Sequence, residues 1–401
     1  MQTSLAAALA GPAARAAPAS PSPPVDEARF QVWAADFIAR APRMGLPIDV
    51  VRREFAGLTL DPRVVALNNQ QPEFSRPISD YIQSVATDDR VAAGRRHLAA
   101  VRDLPRIAQR YGAPPEILVA IWAVESGFGV NQGGFDVLRS VASLAAEGRR
   151  RDWAEGEIAA LIKIIAAGTA TRAQLKGSWA GAMGQTQLEP SALLADAVDV
   201  SGRGHPDVWG SPADALASAA NLLEKAGWRR GEAWQREAVL PPHFDYGLTE
   251  GPAKPPAVWT ALGVKPAVGG VWGDRAPDGV LLLPAGAAGP AFLAFPNHFI
   301  IRKYNNAISY ALGVGLLADR IAGRANVVAA WPHELPLSTA DRVGAQAALA
   351  RLGYDVGPPD GQIGLKTRIA LRAWQKSKGL PADGYLTPHI AGQLVAQAAA
   401  R

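Results

Sequence analysis

Apolar residues along this chain recur mostly at helical spacing. Between Val25 and about Gly323, stretches with apolar positions three and four apart alternate with loops punctuated by Gly and Pro. The spacing predicts helices over 26–40, 45–55, 90–111, 115–126, 153–166, 191–200, 212–226 and 305–322. The character changes between 240 and 300. Short apolar runs at 280–283 and 291–295 stand there between Pro and Gly, and they read as a small antiparallel strand pair. A Trp-Pro-His-Glu-Leu-Pro stretch at 331–336 marks a linker. Beyond it, 338–398 reads as three helices. Ser338 with Asp341 suits a capped start, Val343, Ala347, Leu349 and Leu352 ride on one helix up to Gly353, and further helices run over 365–378 and from Thr387. The pattern therefore predicts a mainly α (α+β) protein in four segments: 1–24, 25–325, a linker at 326–337, and 338–401. The last, about 60 residues long, has little room for an enclosed active site and suits binding better than catalysis.

Composition narrows the class. At 401 residues, with 48% hydrophobic and 19% charged, the chain can build two or three units with a sizeable core, and disorder throughout is excluded. Forty Gly and 32 Pro make it loop-rich, but no triplet period points to collagen. A net charge of +5 suits an acidic polymer or surface. The densest basic cluster is only Arg149, Arg150 and Arg151, so nucleic acid is not an expected partner. The absence of cysteine removes zinc fingers, iron–sulfur sites, thiol catalysis, disulfides and a lipid anchor on an N-terminal Cys. No apolar run approaches the ~20 residues that a membrane span needs. Residues 1–24 are rich in Ala, Pro and Ser, with an apolar stretch from Leu5 to Ala10. They are expected to be a degraded or truncated export signal followed by a linker; a basic leading region is missing, and a disordered N-terminus is the other reading.

Four segments could carry chemistry. In 114–129 (PPEILVAIWAVESGFG), two prolines suit a helix start, Ile117 to Val124 is wholly apolar, and Gly127 and Gly129 suit its end. Glu125 sits at that end. Burial and the carbonyls of the helix C-terminus would both disfavour its charge and raise its pKa, as a general acid near neutral pH requires. A glutamate merely tipping into solvent fits the same letters. In 178–193 (SWAGAMGQTQLEPSAL), small residues let backbone approach backbone or ligand, while Ser178, Gln185 and Gln187 could offer hydrogen bonds to a sugar chain. A Gly-rich packing loop is the other reading. In 298–314, Tyr304-Asn305 is expected to open a helix with Asn305 or Asn306 as its N-cap, or else to position a substrate amide. In 199–207 (DVSGRGHPD), Asp199 and Ser201, with Asp214 further on, resemble a calcium loop. Arg203 puts a cation at the third ligand position, so calcium is doubtful and no cofactor is expected. No nucleophile elbow, Walker sequence or H-E-x-x-H occurs, and the six His show no ligand spacing. Trp122, Trp153, Trp179, Trp209, Trp228 and Trp234 could line a sugar cleft or fill the core.

Together these segments resemble the membrane-bound lytic murein transglycosylase B family over roughly 26–325. That resemblance implies a lysozyme-like fold, with Glu125 as the acid/base and Ser178, Met183, Gly184 and Gln187 as substrate contacts. Tyr304 and Asn305 would stand beside the catalytic Glu. The sequence departs from the family's usual pattern at Leu188, at Ser191-Ala192 and at Arg203. The C-terminal module is similar to the three-helix peptidoglycan-binding domain through Asp360-Gly361-x-x-Gly364, Thr367, Trp374-Gln375, Gly379-Leu380 and Asp383-Gly384.

The resemblance implies cleavage of the β-1,4 bond between N-acetylmuramic acid and N-acetylglucosamine in the periplasm. Peptidoglycan glycan strands are the implied partner, and a cell-wall synthesis complex is a further candidate. Glycosidases ordinarily use two carboxylates. Only Glu125 is convincing here, since Glu189, before Pro190, reads as a surface loop residue. One Glu suffices if the muramoyl C6 hydroxyl is the nucleophile and a 1,6-anhydro ring forms. A lysozyme-type hydrolase and a non-catalytic wall-binding scaffold are the alternatives.

Overall fold

Asp26 starts the first helix by accepting the Arg29 N–H on its side chain at 2.9 Å, and local signals of this kind recur along the chain. The structure, a computed structural model, describes residues 25–69, 74–273 and 275–400. The expected export segment 1–24 lies outside them. In chain order the helices are α1 (Glu27–Arg40), α2 (Ile48–Phe55), α3 (Pro62–Asn69), α4 (Ile78–Val85), α5 (Asp88–Ala100), α6 (Leu104–Tyr111), α7 (Pro115–Ser126), α8 (Val137–Glu147) and α9 (Arg151–Ala166). There follow α10 (Pro190–Asp196), α11 (Pro212–Lys225), α12 (Pro256–Ala261), α13 (Pro296–Tyr304), α14 (Ile308–Ile321), α15 (Thr339–Arg351), α16 (Leu365–Ser377) and α17 (Pro388–Ala399). The strands are short: β1 (Phe74–Ser75), β2 (Phe135–Asp136), β3 (Lys176–Gly177), β4 (Gln235–Val239), β5 (Lys265–Pro266), β6 (Val280–Leu282), β7 (Ala291–Ala294) and β8 (Leu337–Ser338). The described residues divide into two units, one of 25–69 with 92–227 and the other of 74–91 with 228–400.

The first unit is helical. Phe30, Trp33, Ala34 and Phe37 form the buried stripe of α1, and Phe37 stacks on Phe55 of α2 at 5.2 Å. Glu155 of α9 is tied to this layer. It accepts the Trp33 indole N–H at 3.0 Å and a bidentate Arg40 at 2.9 Å to each oxygen. Helix α7 carries no amphipathic pattern because it is enclosed all round: Ile117 to Ala123 are each at most 4% exposed. The predicted helix over 90–111 is two helices, α5 and α6. Pro105 has no N–H to donate, and its ring would clash with the carbonyl four residues earlier, so the chain restarts at Leu104. The helix expected over 191–200 ends at Asp196, with Ala197 extended.

The second unit contains an antiparallel sheet in the order β5-β4-β7-β6, over a core of Trp259, Leu281, Leu293 and Phe295. The expected strand pair is present as β6 and β7. The two further strands gave little signal: β4 (Gln-Arg-Glu-Ala-Val) is half polar, and β5 is two residues long with Pro266 in it. Ser338 and Asp341 form the full capping box of α15, and Thr387 caps α17. These helices and α16 enclose Leu349, Leu371, Trp374 and Leu394. Two glutamines organise the module alike. Gln346 donates to Asp360 and accepts Gly361 N–H, and Gln375 does the same with Asp383 and Gly384. The module is fastened within its unit. Glu250 takes Arg368 at 2.9 Å and Arg372 at 2.6 Å, and Asp383 accepts Ala287 N–H at 2.8 Å.

The expected N-cap role of Asn305 and Asn306 is corrected here. Tyr304 ends α13 and Asn305 follows it in extended conformation, while α14 starts at Ile308 after Ala307. Asn305 Oδ1 accepts Ala307 N–H at 3.2 Å, which serves the link between the helices, and Asn306 Oδ1 accepts Arg302 at 2.9 Å. The rings of Tyr304 and Tyr310 are parallel at 6.4 Å.

Candidate active site

Glu125 occupies the last turn of α7 and is half-buried. The chain after it turns sharply, with Gly127, Phe128 and Gly129 at φ of 60°, 63° and 85°. A left-handed Phe is strained by about 1–3 kcal/mol and persists only where its surroundings hold it. Here the Phe128 ring stacks on His97 at 4.4 Å and meets Trp122 edge-on at 5.6 Å. Burial, and then Arg96, push the His97 pKa down, so the imidazole packs as a neutral ring.

Ser126, only 1% exposed, locks this turn to the second motif. Its hydroxyl donates to the Gln185 carbonyl at 2.5 Å and accepts Gly129 N–H at 2.8 Å. Gly129 packs against the Gln185 side chain, and its φ of 85° is a conformation that glycine adopts without strain. Gln187 crosses the same seam, with Nε2 donating to the Gln132 carbonyl at 3.1 Å and to the Gly184 carbonyl at 2.8 Å. Gln132 donates in turn to the carbonyls of Gly129 and Trp209. The structure thus brings the Glu125 turn and the loop 178–188 together as one hydrogen-bonded body.

Within that loop the expected substrate contacts differ. Ser178 is half-exposed, and its hydroxyl accepts Ala182 N–H at 3.0 Å. Met183 has no exposed surface, and its backbone pairs with Leu188, so its side chain packs inside the loop. Gly184 is also buried, at φ 72°, with a hypothetical Cβ 2.7 Å from Val208. Gln187 is 9% exposed and its amide N–H groups already serve the backbone. Tyr304 and Asn305 belong to the other unit and are described there. Of the tryptophans, Trp122, Trp228 and Trp234 are core, whereas Trp153, Trp179 and Trp209 keep exposed faces.

Glu189 is not the surface residue its place before Pro190 suggests. It is half-buried, and burial followed by the charge of Glu157 pushes its pKa up against a hydrogen bond from Trp153 and the charge of Arg150. The Arg150 guanidinium lies over the Trp153 ring at 3.8 Å. Glu157 is 4% exposed and accepts the N–H and the hydroxyl of Ser191, one on each oxygen, at 2.8 Å. In the loop 199–214, Asp214 is wholly buried and accepts the N–H groups of Val200 and Asp207, while Asp199 accepts those of Gly204 and the Ser201 hydroxyl. Sequence reasoning missed Ser126, Gln132 and His97 as the supports of the Glu125 turn. Only Ser126, beside the glutamate, carried a local signal.

Residues 29–319 match the transglycosylase SLT domain model, and residues 338–394 match the putative peptidoglycan binding domain. The chain belongs to the transglycosylase SLT domain family. Among family members, membrane-bound lytic murein transglycosylase B of Escherichia coli (strain K12) is 32% identical over 275 residues, covering 66% of this chain and 74% of that protein. SltB3 of Pseudomonas aeruginosa, solved in complex with NAG-anhNAM-pentapeptide and with NAG-NAM-pentapeptide, is 43% identical. It matches 91% of this chain and 99% of its own with a TM-score of 0.87. The Escherichia coli lytic transglycosylase Slt35 in complex with calcium is 28% identical, with a TM-score of 0.63 over 72% of this chain and 92% of that one. As a family member, the chain is a lytic transglycosylase acting on peptidoglycan.

Proposed function

We propose that Glu125 is the single acid/base of this enzyme. The observation that carries the reading is its position: a half-buried carboxylate stands in the last turn of a helix enclosed over Ile117–Ala123, on a turn locked to the loop 178–188. Glu125 protonates the glycosidic oxygen as the bond from muramoyl C1 breaks. The same carboxylate then takes the proton of the C6 hydroxyl while that oxygen bonds to C1. The proton is returned, no water is consumed, and the product ends in a 1,6-anhydro ring. A Glu on one side of the bond thus does both steps because the substrate brings its own nucleophile. Ser178 is the most accessible of the loop's candidate contacts, while Met183, Gly184 and Gln187 hold the loop's shape. Tyr304 and Asn305 remain candidate contacts by resemblance.

The boundaries that suit this reading are a catalytic part over 25–325, a linker at 326–337 and a wall-binding part over 338–401. Glu250 and Asp383 tie that last part to neighbouring backbone and side chains of its own unit, and its proposed role is to hold the enzyme on glycan strands. The proposed location is the periplasm; among the described residues no helix is long and apolar enough to cross a membrane. Mass spectrometry of purified peptidoglycan digested by wild type and Glu125→Gln tests the chemistry. Anhydromuramoyl products that vanish in the variant are expected. Reducing-end products from the wild type would make the enzyme a hydrolase, and products persisting in Glu125→Gln would remove Glu125 from the acid/base role.

A further inference from the structure

The loop 199–214 begins like a calcium loop, and the related Slt35 was solved in complex with calcium. Whether this chain's loop suits such an ion depends on what its oxygens already meet. Asp214 Oδ1 accepts Val200 N–H at 3.0 Å, and Oδ2 accepts Asp207 N–H at 2.9 Å. Asp199 Oδ1 accepts the Ser201 hydroxyl at 2.9 Å, and Oδ2 accepts Gly204 N–H at 2.7 Å. Arg203, standing at the third ligand position, donates Nε–H to Ser201 Oγ at 2.8 Å. Its Nη2 lies 3.5 Å from Asp214 Oδ2 and 3.7 Å from Asp207 Oδ2. The ligand candidates are therefore occupied by N–H and O–H donors, and a positive charge already stands among them. Calcium takes six to eight oxygens, carboxylates foremost. Among the described residues, no three His, Asp or Glu side chains converge as a metal-binding group.

We propose that Arg203 replaces the divalent cation in this loop, so that one guanidinium bridges Asp214, Asp207 and Ser201 and the loop holds its shape without metal. The substitution is chemically coherent. A wholly buried carboxylate needs a compensating positive partner, and Arg203 supplies charge at ion-pair distance to Asp214 together with a directed hydrogen bond to Ser201. It also has a consequence at the active site. Val208 of this loop accepts Gln185 N–H at 2.9 Å and seats the turn at Gly184, while the Trp209 carbonyl accepts Gln185 Nε2–H at 3.0 Å. The loop beside Glu125 is thus braced by a cation that the chain carries itself, and chelators leave it intact.

Thermal melts of the purified full chain in EDTA and in millimolar calcium chloride, with calorimetric titration of calcium alone, test this. The wild type is expected to melt identically in both and to show no calcium heat. Arg203→Met removes the cation without adding a ligand. Its Tm should fall by about 2–4 °C, the shift that about one lost contact gives in a unit of this size, and calcium should not restore it. Arg203→Asp supplies the missing carboxylate, so its Tm should fall in EDTA, recover in calcium, and calorimetry should detect binding. A wild-type Tm that rises in calcium would overturn the proposal. So would an Arg203→Met protein melting like the wild type, or an Arg203→Asp protein that calcium fails to rescue.

Discussion

His298 gives the second unit a defined sensitivity to acid. The imidazole is wholly buried in the first turn of α13, parallel to Trp234 at 6.0 Å and edge-on to Phe299 at 5.2 Å. Neither ring nitrogen has a hydrogen-bond partner among the described residues. Burial, and then the Arg302 charge, push its pKa from 6.5 down to about 3. Because the folded value lies below the free one, the unfolded chain takes up the proton first as pH falls. The folded state therefore keeps its full stability above about pH 6.5 and loses it progressively toward pH 3. The whole gap, at about 1.4 kcal/mol for each pH unit, amounts to about 5 kcal/mol, of which about 2 kcal/mol is lost by pH 5. Denaturant melts of wild type and His298→Phe across this range measure it, since Phe keeps the stack but cannot be protonated. Other acid-sensitive groups, such as Glu334, act equally in both proteins and cancel in the difference. The two stability curves should run parallel above pH 6.5 and diverge below it, with the variant the flatter. Curves that stay parallel down to pH 4 would refute the assignment.

Three further outcomes follow from packing. Gly184→Ala forces a Cβ to within 2.7 Å of Val208 at a left-handed φ, so about 2–4 kcal/mol of stability should be lost in melts, with reduced turnover from the displaced loop. Glu155→Ala strands the Trp33 N–H and leaves Arg40 with Asp36 alone; about 2–3 kcal/mol should disappear in denaturant titrations, less than for a fully buried pair because Arg40 keeps a solvent face and its second carboxylate. Glu250→Ala releases Arg368 and Arg372, and limited proteolysis should then cut faster within 326–337 while cleavage of short soluble glycan fragments persists.

Local rules made much of this molecule legible. The apolar run 117–124 predicted an enclosed helix, because a segment without a polar face can only be buried, and the glycines after Glu125 fixed where it stops. The Ser338–Asp341 box, the Thr387 cap and the strands near 280 and 291 were likewise written within a few residues of where they act. The break at Pro105 was equally local, and a continuous apolar period hid it. What the chain alone did not disclose depends on partners far away in sequence. The burial of Met183 inside its loop is not written in its neighbours, and Gln187 spends its amide on Gln132, 55 residues earlier. Glu189 is half-buried, and α9 brings the charge of Glu157 and a hydrogen bond from Trp153 to it. Periodicity and capping are short-range properties that a sequence carries by itself. Burial and hydrogen-bond partnership are settled only when distant segments meet, and they decide which polar side chains shape a loop and which are free to face a substrate.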